Sequence, residues 1–145
     1  MPGETLKVRK PYVISIIDDD PLVREGIARL VRSLGHRSNV FSSAEEYLDA
    51  GGVDECNCLI TDLHMPGMNG AELREHLVAA GNRVPVIFIT SYFDKKIRAR
   101  LLQAGAAGFL RKPFSYEGFA NCLNTTLKNS GGRPRNSPFP HQMDR

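Results

Sequence analysis

The sequence predicts a doubly wound α/β domain, in which helices cover both faces of a five-stranded parallel sheet. Three observations predict it. Strand-like and helix-like segments alternate five times along the chain. Two of the strand segments are apolar along most of their length, as strands covered on both faces are. Each connection between strand segments is a helical pattern, and strand–helix–strand connections lay down parallel neighbours. With 145 residues there is room for one domain and short tails. We expect an N-terminal extension over 1–10, the folded domain over 11–130 and a flexible basic tail or linker stub over 131–145.

The elements follow in order. Tyr12-Val13-Ile14-Ser15-Ile16-Ile17 is a β-branched run that stops at three aspartates, which reads as a buried strand. Asp20 is placed to cap a helix whose first position is Pro21, and Val23, Ile27, Leu30, Val31 and Leu34 share one apolar face. Gly35 ends that helix. Residues 37–41 give a short second strand, and Ser43 with Glu46 three residues on spells a capping box for a second helix. The loop Gly51-Gly52 leads to a third strand, Cys58-Leu59-Ile60-Thr61, which halts at Asp62. A Pro/Gly-rich loop, Met65-Pro66-Gly67-Met68-Asn69-Gly70, precedes a helix to about Ala80. Pro85–Thr90 is the clearest strand, a helix runs from Asp94 to Ala104, and Gly108-Phe109-Leu110 is a short fifth strand. Ser115 starts a last helix reaching about Lys128, and beyond Ser130 no apolar period remains.

Charge and cysteine usage exclude several function classes. The net charge of +3 sits at the ends: residues 1–10 and 131–145 carry +2 each, which leaves 11–130 at −1. A body without cationic excess is not steered onto phosphate backbones, so no direct nucleic-acid contact is expected. Cys56, Cys58 and Cys122 are an odd set without framework spacing, which favours a reducing compartment. Cys56 and Cys58 have no second pair to complete a metal site and read as small buried side chains. No run approaches the ~20 apolar residues of a membrane span, and the charged N-terminus lacks the apolar run of a signal peptide. The expectation is a cytoplasmic protein without membrane contact.

In an open parallel sheet, ligands bind beyond the carboxyl ends of the strands. Asp18, Asp19 and Asp20 follow the first strand, Asp62 follows the third, Thr90 ends the fourth and Lys112 lies just past the fifth. Asp18, Asp19, Asp62, Thr90 and Lys112 are therefore expected on one rim. Carboxylates crowded together repel and need a cation or raised pKa values to coexist. A hard divalent ion such as Mg²⁺, held by one or two carboxylates, compensates them and brings a phosphate substrate. A carboxylate left facing outward is then a nucleophile for phosphoryl transfer, with Lys112 and the Thr90 hydroxyl suited to phosphoryl oxygens. For Asp20, capping the Pro21 helix competes with touching the metal.

Residues 12–128 resemble the receiver domain of two-component response regulators. The elements that carry the resemblance are Ile17-Asp18-Asp19-Asp20, Thr61-Asp62-Leu63-His64-Met65-Pro66-Gly67-Met68-Asn69-Gly70, Ile89-Thr90-Ser91 and Lys112-Pro113-Phe114. Their order and separations agree with the family, and the wording is closest to regulators of the nitrogen-fixation and LuxR-output type. The resemblance implies a flavodoxin-like (βα)5 sandwich with strand order 2-1-3-4-5. It implies Asp62 as phosphoacceptor, Asp18, Asp19, Asp62 and the main-chain carbonyl of His64 as Mg²⁺ ligands, and Thr90 and Lys112 as phosphoryl contacts. It implies Thr90 and Phe109 as a switch pair, Ser91 as the small residue giving access, and a cis Lys112–Pro113 bond. His64 and Tyr92 hold positions that tune how fast the phosphoryl group is lost. The implied partner is a sensor histidine kinase or phosphotransfer protein, and the output is a changed face on the fourth helix, fifth strand and fifth helix. That face would control a partner, a phosphorylation-dependent homodimer or a separate output domain.

Other readings make different demands. Mg²⁺-dependent phosphatases with an aspartate nucleophile want a second Asp two residues on, where this chain has His64. A phosphorylation-independent interaction domain would not need the full residue set found here. Phe109 reads equally as plain core, and bulky Tyr92 and Phe93 depart from the small or polar residues common in related regulators. No helix-turn-helix follows residue 128, so the chain is either a stand-alone receiver or part of a longer regulator.

Overall fold

The computed structural model describes residues 11–51 and 56–130. The extension over 1–10, Gly52 and the tail over 131–145 lie outside the described residues. The elements run β1 (Val13–Ile17), α1 (Pro21–Ser33), β2 (Arg37–Phe41), α2 (Ala44–Asp49), β3 (Cys58–Asp62), α3 (Gly70–Ala79), β4 (Val86–Thr90), α4 (Lys95–Gln103), β5 (Gly108–Arg111) and α5 (Tyr116–Asn129). The sheet order is β2-β1-β3-β4-β5, with every neighbouring pair parallel. The doubly wound sandwich expected from the sequence is the fold.

Successive strand residues point to opposite faces, and here both faces are filled. On one face Ile14, Ile16, Cys58, Ile60, Ile87 and Ile89 meet Ile27, Ala28 and Val31 of α1 and Phe119, Leu123 and Leu127 of α5. On the other, Ile17, Leu59, Val86 and Phe88 meet Ala44 and Tyr47 of α2, Leu73 and Leu77 of α3, and the partly buried Ile97 and Leu101 of α4. This double burial is why β3 and β4 read as continuous apolar runs. Fully burying one such aliphatic side chain is worth about 1.5–3 kcal/mol. Helix α4 is the exception: none of its residues is fully buried, and it carries Lys95, Lys96, Arg98 and Arg100 outward. Cys56 and Cys58 are fully buried among apolar neighbours, and burial raises both thiols above the usual range.

All five helices start at the carboxyl rim of the sheet, each with a side-chain cap. Asp20 accepts from Leu22, Ser43 from Glu46, Asn69 from Glu72, Asp94 from Lys96 and Ile97, and Ser115 from Gly118. The expected box at Ser43 is only half made. The Glu46 carboxylate takes the Ser42 N–H (2.7 Å) and the Ser42 hydroxyl (2.8 Å) in place of the Ser43 N–H. The complete capping box is at Asn69 and Glu72, at the start of α3.

Two glycines are there for geometric reasons. Gly35 closes α1 at φ 91, in the left-handed region. Gly70 lets α3 start against the end of β3: a Cβ there would lie 2.5 Å from the Asp62 carbonyl oxygen. The Gly70 N–H meanwhile bonds the Leu63 carbonyl at 3.1 Å. The backbone carrying Asp62 is thus braced from outside the sheet.

His36 at the foot of β2 gives a pH dependence unrelated to the rim. Its ring packs on Tyr12 (5.3 Å between centroids), its Nδ1 accepts the Tyr12 N–H at 3.4 Å, and burial lowers its pKa below the ordinary 6.5. A depressed folded-state pKa contributes stability that is present above 6.5 and is lost as pH falls through the folded value. Urea unfolding at pH 8 and pH 5 should show wild type losing stability relative to His36→Gln. An equal pH response in the two proteins would remove His36 from the account.

Candidate functional site

Carboxyl ends of β1 and β3 bring three acids together. One carboxylate oxygen from each of Asp18, Asp19 and Asp62 lies within 4.8 Å of the others, and this is the one such group of potential metal ligands among the described residues. Asp18 is fully buried, Asp62 nearly so, and Asp19 exposed. Lys112, just past β5, reaches across to both buried acids: Nζ lies 3.2 Å from Asp18 Oδ2 and 3.0 Å from Asp62 Oδ2. The other Asp62 oxygen, Oδ1, accepts the His64 N–H at 3.1 Å. Lys112 is itself set by its main chain, whose N–H bonds the Thr90 carbonyl at 2.7 Å, and by a cis bond to Pro113.

Electrostatics at this rim is unbalanced. Burial raises the Asp18 pKa above the usual carboxylate range, and the nearby Asp62 charge adds to it. The Asp20 N–H and Lys112 oppose without cancelling. Burial works to lower Lys112, yet its bonds to Asp62 and Asp18 outweigh that and raise it overall. A site of three carboxylates and one ammonium keeps a surplus of negative charge, and its donors are all oxygen. Such a set fits a hard divalent cation.

Other residues expected at the site are placed as follows. Thr90 is fully buried, and its hydroxyl donates to the Tyr92 carbonyl (3.2 Å) and accepts the Tyr92 N–H (3.0 Å). It is engaged with the following turn, not with the carboxylates. Phe109 is half-buried and borders a pocket of about 160 Å³ together with Leu63, His64, Tyr92, Phe93 and Ile97. The exposed His64 ring meets Tyr92 edge-on, with centroids 5.8 Å apart. Asp20 is the α1 cap and accepts from Leu22 at 2.9 Å, the capping role expected of it beside Pro21. Ser91 and Lys112 border an open apolar groove of about 570 Å³ formed with Leu22, Ile27, Leu30 and Phe114.

Sequence reasoning missed two braces. Arg24 Nη1 donates to the Asp18 carbonyl at 2.8 Å. Glu45 Oε2 accepts the Met68 N–H at 2.9 Å, pinning the loop after β3 to the start of α2. Helical side chains lean toward the helix N-terminus, so an Arg one turn after a capping Asp was the available signal for the first. Nothing local signals the second, which joins residues 23 apart.

The profile of the response regulator receiver domain family matches residues 14–124. The chain belongs to that family. Among curated relatives of this receiver domain, the response regulator protein TmoT of Ectopseudomonas mendocina is 39% identical over 126 residues, covering 87% of this chain and 57% of that protein. The transcriptional regulatory protein FixJ of Azorhizobium caulinodans is 36% identical over 122 residues, covering 84% and 58%. The receiver domain thus spans a little over half the length of these relatives. Among solved structures, the response regulator StyR superposes with a TM-score of 0.77 at 35% identity, over 86% of this chain and 63% of that one. A receiver protein from Burkholderia phymatum gives 0.71 at 40% identity, over 82% and 96%. Function in this family is signalling by phosphorylation of an aspartate, with Mg²⁺ bound at an acidic pocket, and not metabolic catalysis. Among the described residues no helix is long and apolar enough to cross a membrane.

Proposed function

We propose that Asp62 is the phosphoacceptor of this receiver domain. Asp18, Asp19 and Asp62, with the main-chain carbonyl of His64, hold Mg²⁺. The observation that carries the reading is the charge surplus at the rim: three clustered carboxylates share the single ammonium of Lys112. Carboxylates that outnumber the one cation they contact call for a hard divalent ion. When bound, Mg²⁺ supplies charge compensation to the phosphoryl oxygens.

The chain's own residues do the rest. A carboxylate oxygen of Asp62 attacks phosphorus, and the bond from phosphorus to the donor nitrogen or oxygen breaks with its electron pair leaving on the donor. Lys112, already on Asp62, shifts to a phosphoryl oxygen. The Thr90 hydroxyl exchanges its Tyr92 partners for another phosphoryl oxygen, and Phe109 fills the space this opens. The domain thereby moves between two pre-existing states. The readout is the face of α4, β5 and α5, where a partner, a second copy or an output domain would dock. The relatives' transcriptional roles favour an output on transcription.

The donor is a phosphohistidine on a sensor kinase or phosphotransfer protein. The groove that shares Lys112 with the site offers it an apolar seat, with Leu22 82% exposed at its edge. Intact-protein mass after acetyl phosphate tests the core of the proposal: one phosphoryl group is expected with Mg²⁺ and none with EDTA. Leu22→Glu is expected to label normally from acetyl phosphate and more slowly from a phosphorylated kinase that labels the wild type. Equal rates from the kinase would remove the groove from the donor's path. Labelling of Asp62→Asn to the wild-type level would overturn Asp62 as acceptor.

A further inference from the structure

Residues 18–20, between β1 and α1, carry two of the three clustered carboxylates and have no ladder of their own beyond the sheet. Besides the first helical bond of α1, three bonds fix their backbone. The Asp18 N–H donates to the Phe41 carbonyl at 3.2 Å, the Asp20 N–H donates to Asp18 Oδ1 at 2.9 Å, and Arg24 Nη1 donates to the Asp18 carbonyl at 2.8 Å. The third is the one supplied by a side chain from another element. Arg24 itself is anchored, its N–H bonding the Asp20 carbonyl at 3.0 Å as the first full turn of α1 closes. Half-buried, its side chain lies back over the turn before it.

The Asp18 carbonyl belongs to the peptide plane from which Asp19 projects, and a peptide is planar. Fixing that oxygen, with the Asp20 N–H already held on Asp18 Oδ1, fixes the peptide planes on both sides of Asp19 and so the direction in which Asp19 leaves the chain. Asp18 is held in any case by burial and by Lys112. Asp19 is exposed, so the direction of its side chain depends on the backbone beneath it. A hydrogen bond from a guanidinium is about twice as strong as a neutral one, which suits it to this work.

We propose that Arg24 is a positioning residue for the divalent-cation site: by clamping the Asp18 carbonyl it aims Asp19 into the carboxylate cluster. The inference rests on the reading of that cluster as a Mg²⁺ site. It has a consequence opposite in sign to plain electrostatics. Arg24 is a cation close to the acids, so on charge alone its removal strengthens Mg²⁺ binding by relieving like-charge repulsion. As a clamp, its removal weakens binding. Loss of an outer partner that orients a metal ligand typically lowers metal affinity 10–100-fold.

Isothermal titration of Mg²⁺ into wild type, Arg24→Ala and Arg24→Lys decides between these signs. Circular dichroism first establishes a temperature at which all three are folded. The expected result is a roughly tenfold weaker Kd for Arg24→Ala, with Arg24→Lys recovering part of the loss because it keeps a donor but not the planar fork. Arg24→Ala binding Mg²⁺ as well as or better than wild type would overturn the proposal. Arg24→Met, which keeps an aliphatic stem but has no donor, stands in if Arg24→Ala does not fold: affinity equal to wild type overturns the clamp, and weaker affinity supports it. A wild type that binds no Mg²⁺ would instead overturn the site reading on which the proposal stands.

Discussion

Asp62→Asn is expected to abolish phosphoryl incorporation from acetyl phosphate, with no adduct in the intact mass at any Mg²⁺ concentration. The substitution keeps the size and the acceptor for the His64 N–H (3.1 Å to Oδ1) but removes the nucleophilic carboxylate. Of its neighbours in the cluster, Asp18 is fully buried beneath Lys112. The same variant should be more stable than wild type in Mg²⁺-free buffer, by on the order of 1 kcal/mol, because two carboxylates in place of three then share one ammonium. Urea unfolding measures this second effect. A variant that still labels would move the acceptor elsewhere. One that labels not at all but is less stable would keep the acceptor and refute the charge-crowding account.

Lys112→Ala separates two roles that one side chain combines. Its ammonium contacts Asp18 (3.2 Å) and Asp62 (3.0 Å), so it compensates the acids and competes with any other cation for them. Removing it should raise Mg²⁺ affinity several-fold and yet slow labelling by about a hundredfold, because a donor to the developing phosphoryl charge is lost. Without Mg²⁺ the variant should lose about 2 kcal/mol of stability at neutral pH. That is below the 3–5 kcal/mol typical of breaking a buried pair, since Asp18 keeps the Asp20 N–H and Asp62 the His64 N–H as partners. Mg²⁺ should restore most of the loss. Titration calorimetry, labelling rate and urea unfolding give three readings on one variant, and an unchanged or weaker Mg²⁺ affinity would refute the competition.

What the sequence discloses and what it hides follow from the range of the interactions. Strand runs and caps are local, and Asp20, Asp94 and Ser115 cap helices where their spacing says they should. Asp18, Asp19, Asp62 and Lys112 were legible as a group because strand ends in a parallel sheet share one rim. Glu46 shows where a local rule yields. With serines at both 42 and 43, its carboxylate finds two donors on Ser42 and leaves the Ser43 N–H. The Asn69–Glu72 box was hidden inside a stretch whose Pro and Gly content reads as loop. Thr90 was identified as a site residue, but its present hydrogen bonds to Tyr92 depend on the turn conformation of residues 90–92, which composition does not specify. Glu45 acts on a main-chain N–H 23 residues away, which leaves no pattern in residue spacing, whereas Arg24 leaves only its place one turn after Asp20.

Helix α4 stands apart in how it is attached. It shows four cations to solvent and meets the core only through the partly buried Ile97 and Leu101, whereas α1 and α5 each bury three or more side chains. Most positions on α4 can therefore be exchanged with little cost to folding, while comparable changes on α1 or α5 would undermine the whole domain. Over evolutionary time such a helix can be re-lettered for a new recipient while the acidic rim on the strand ends stays as it is. Duplicated copies of the chain could then diverge in what they address before they diverge in chemistry.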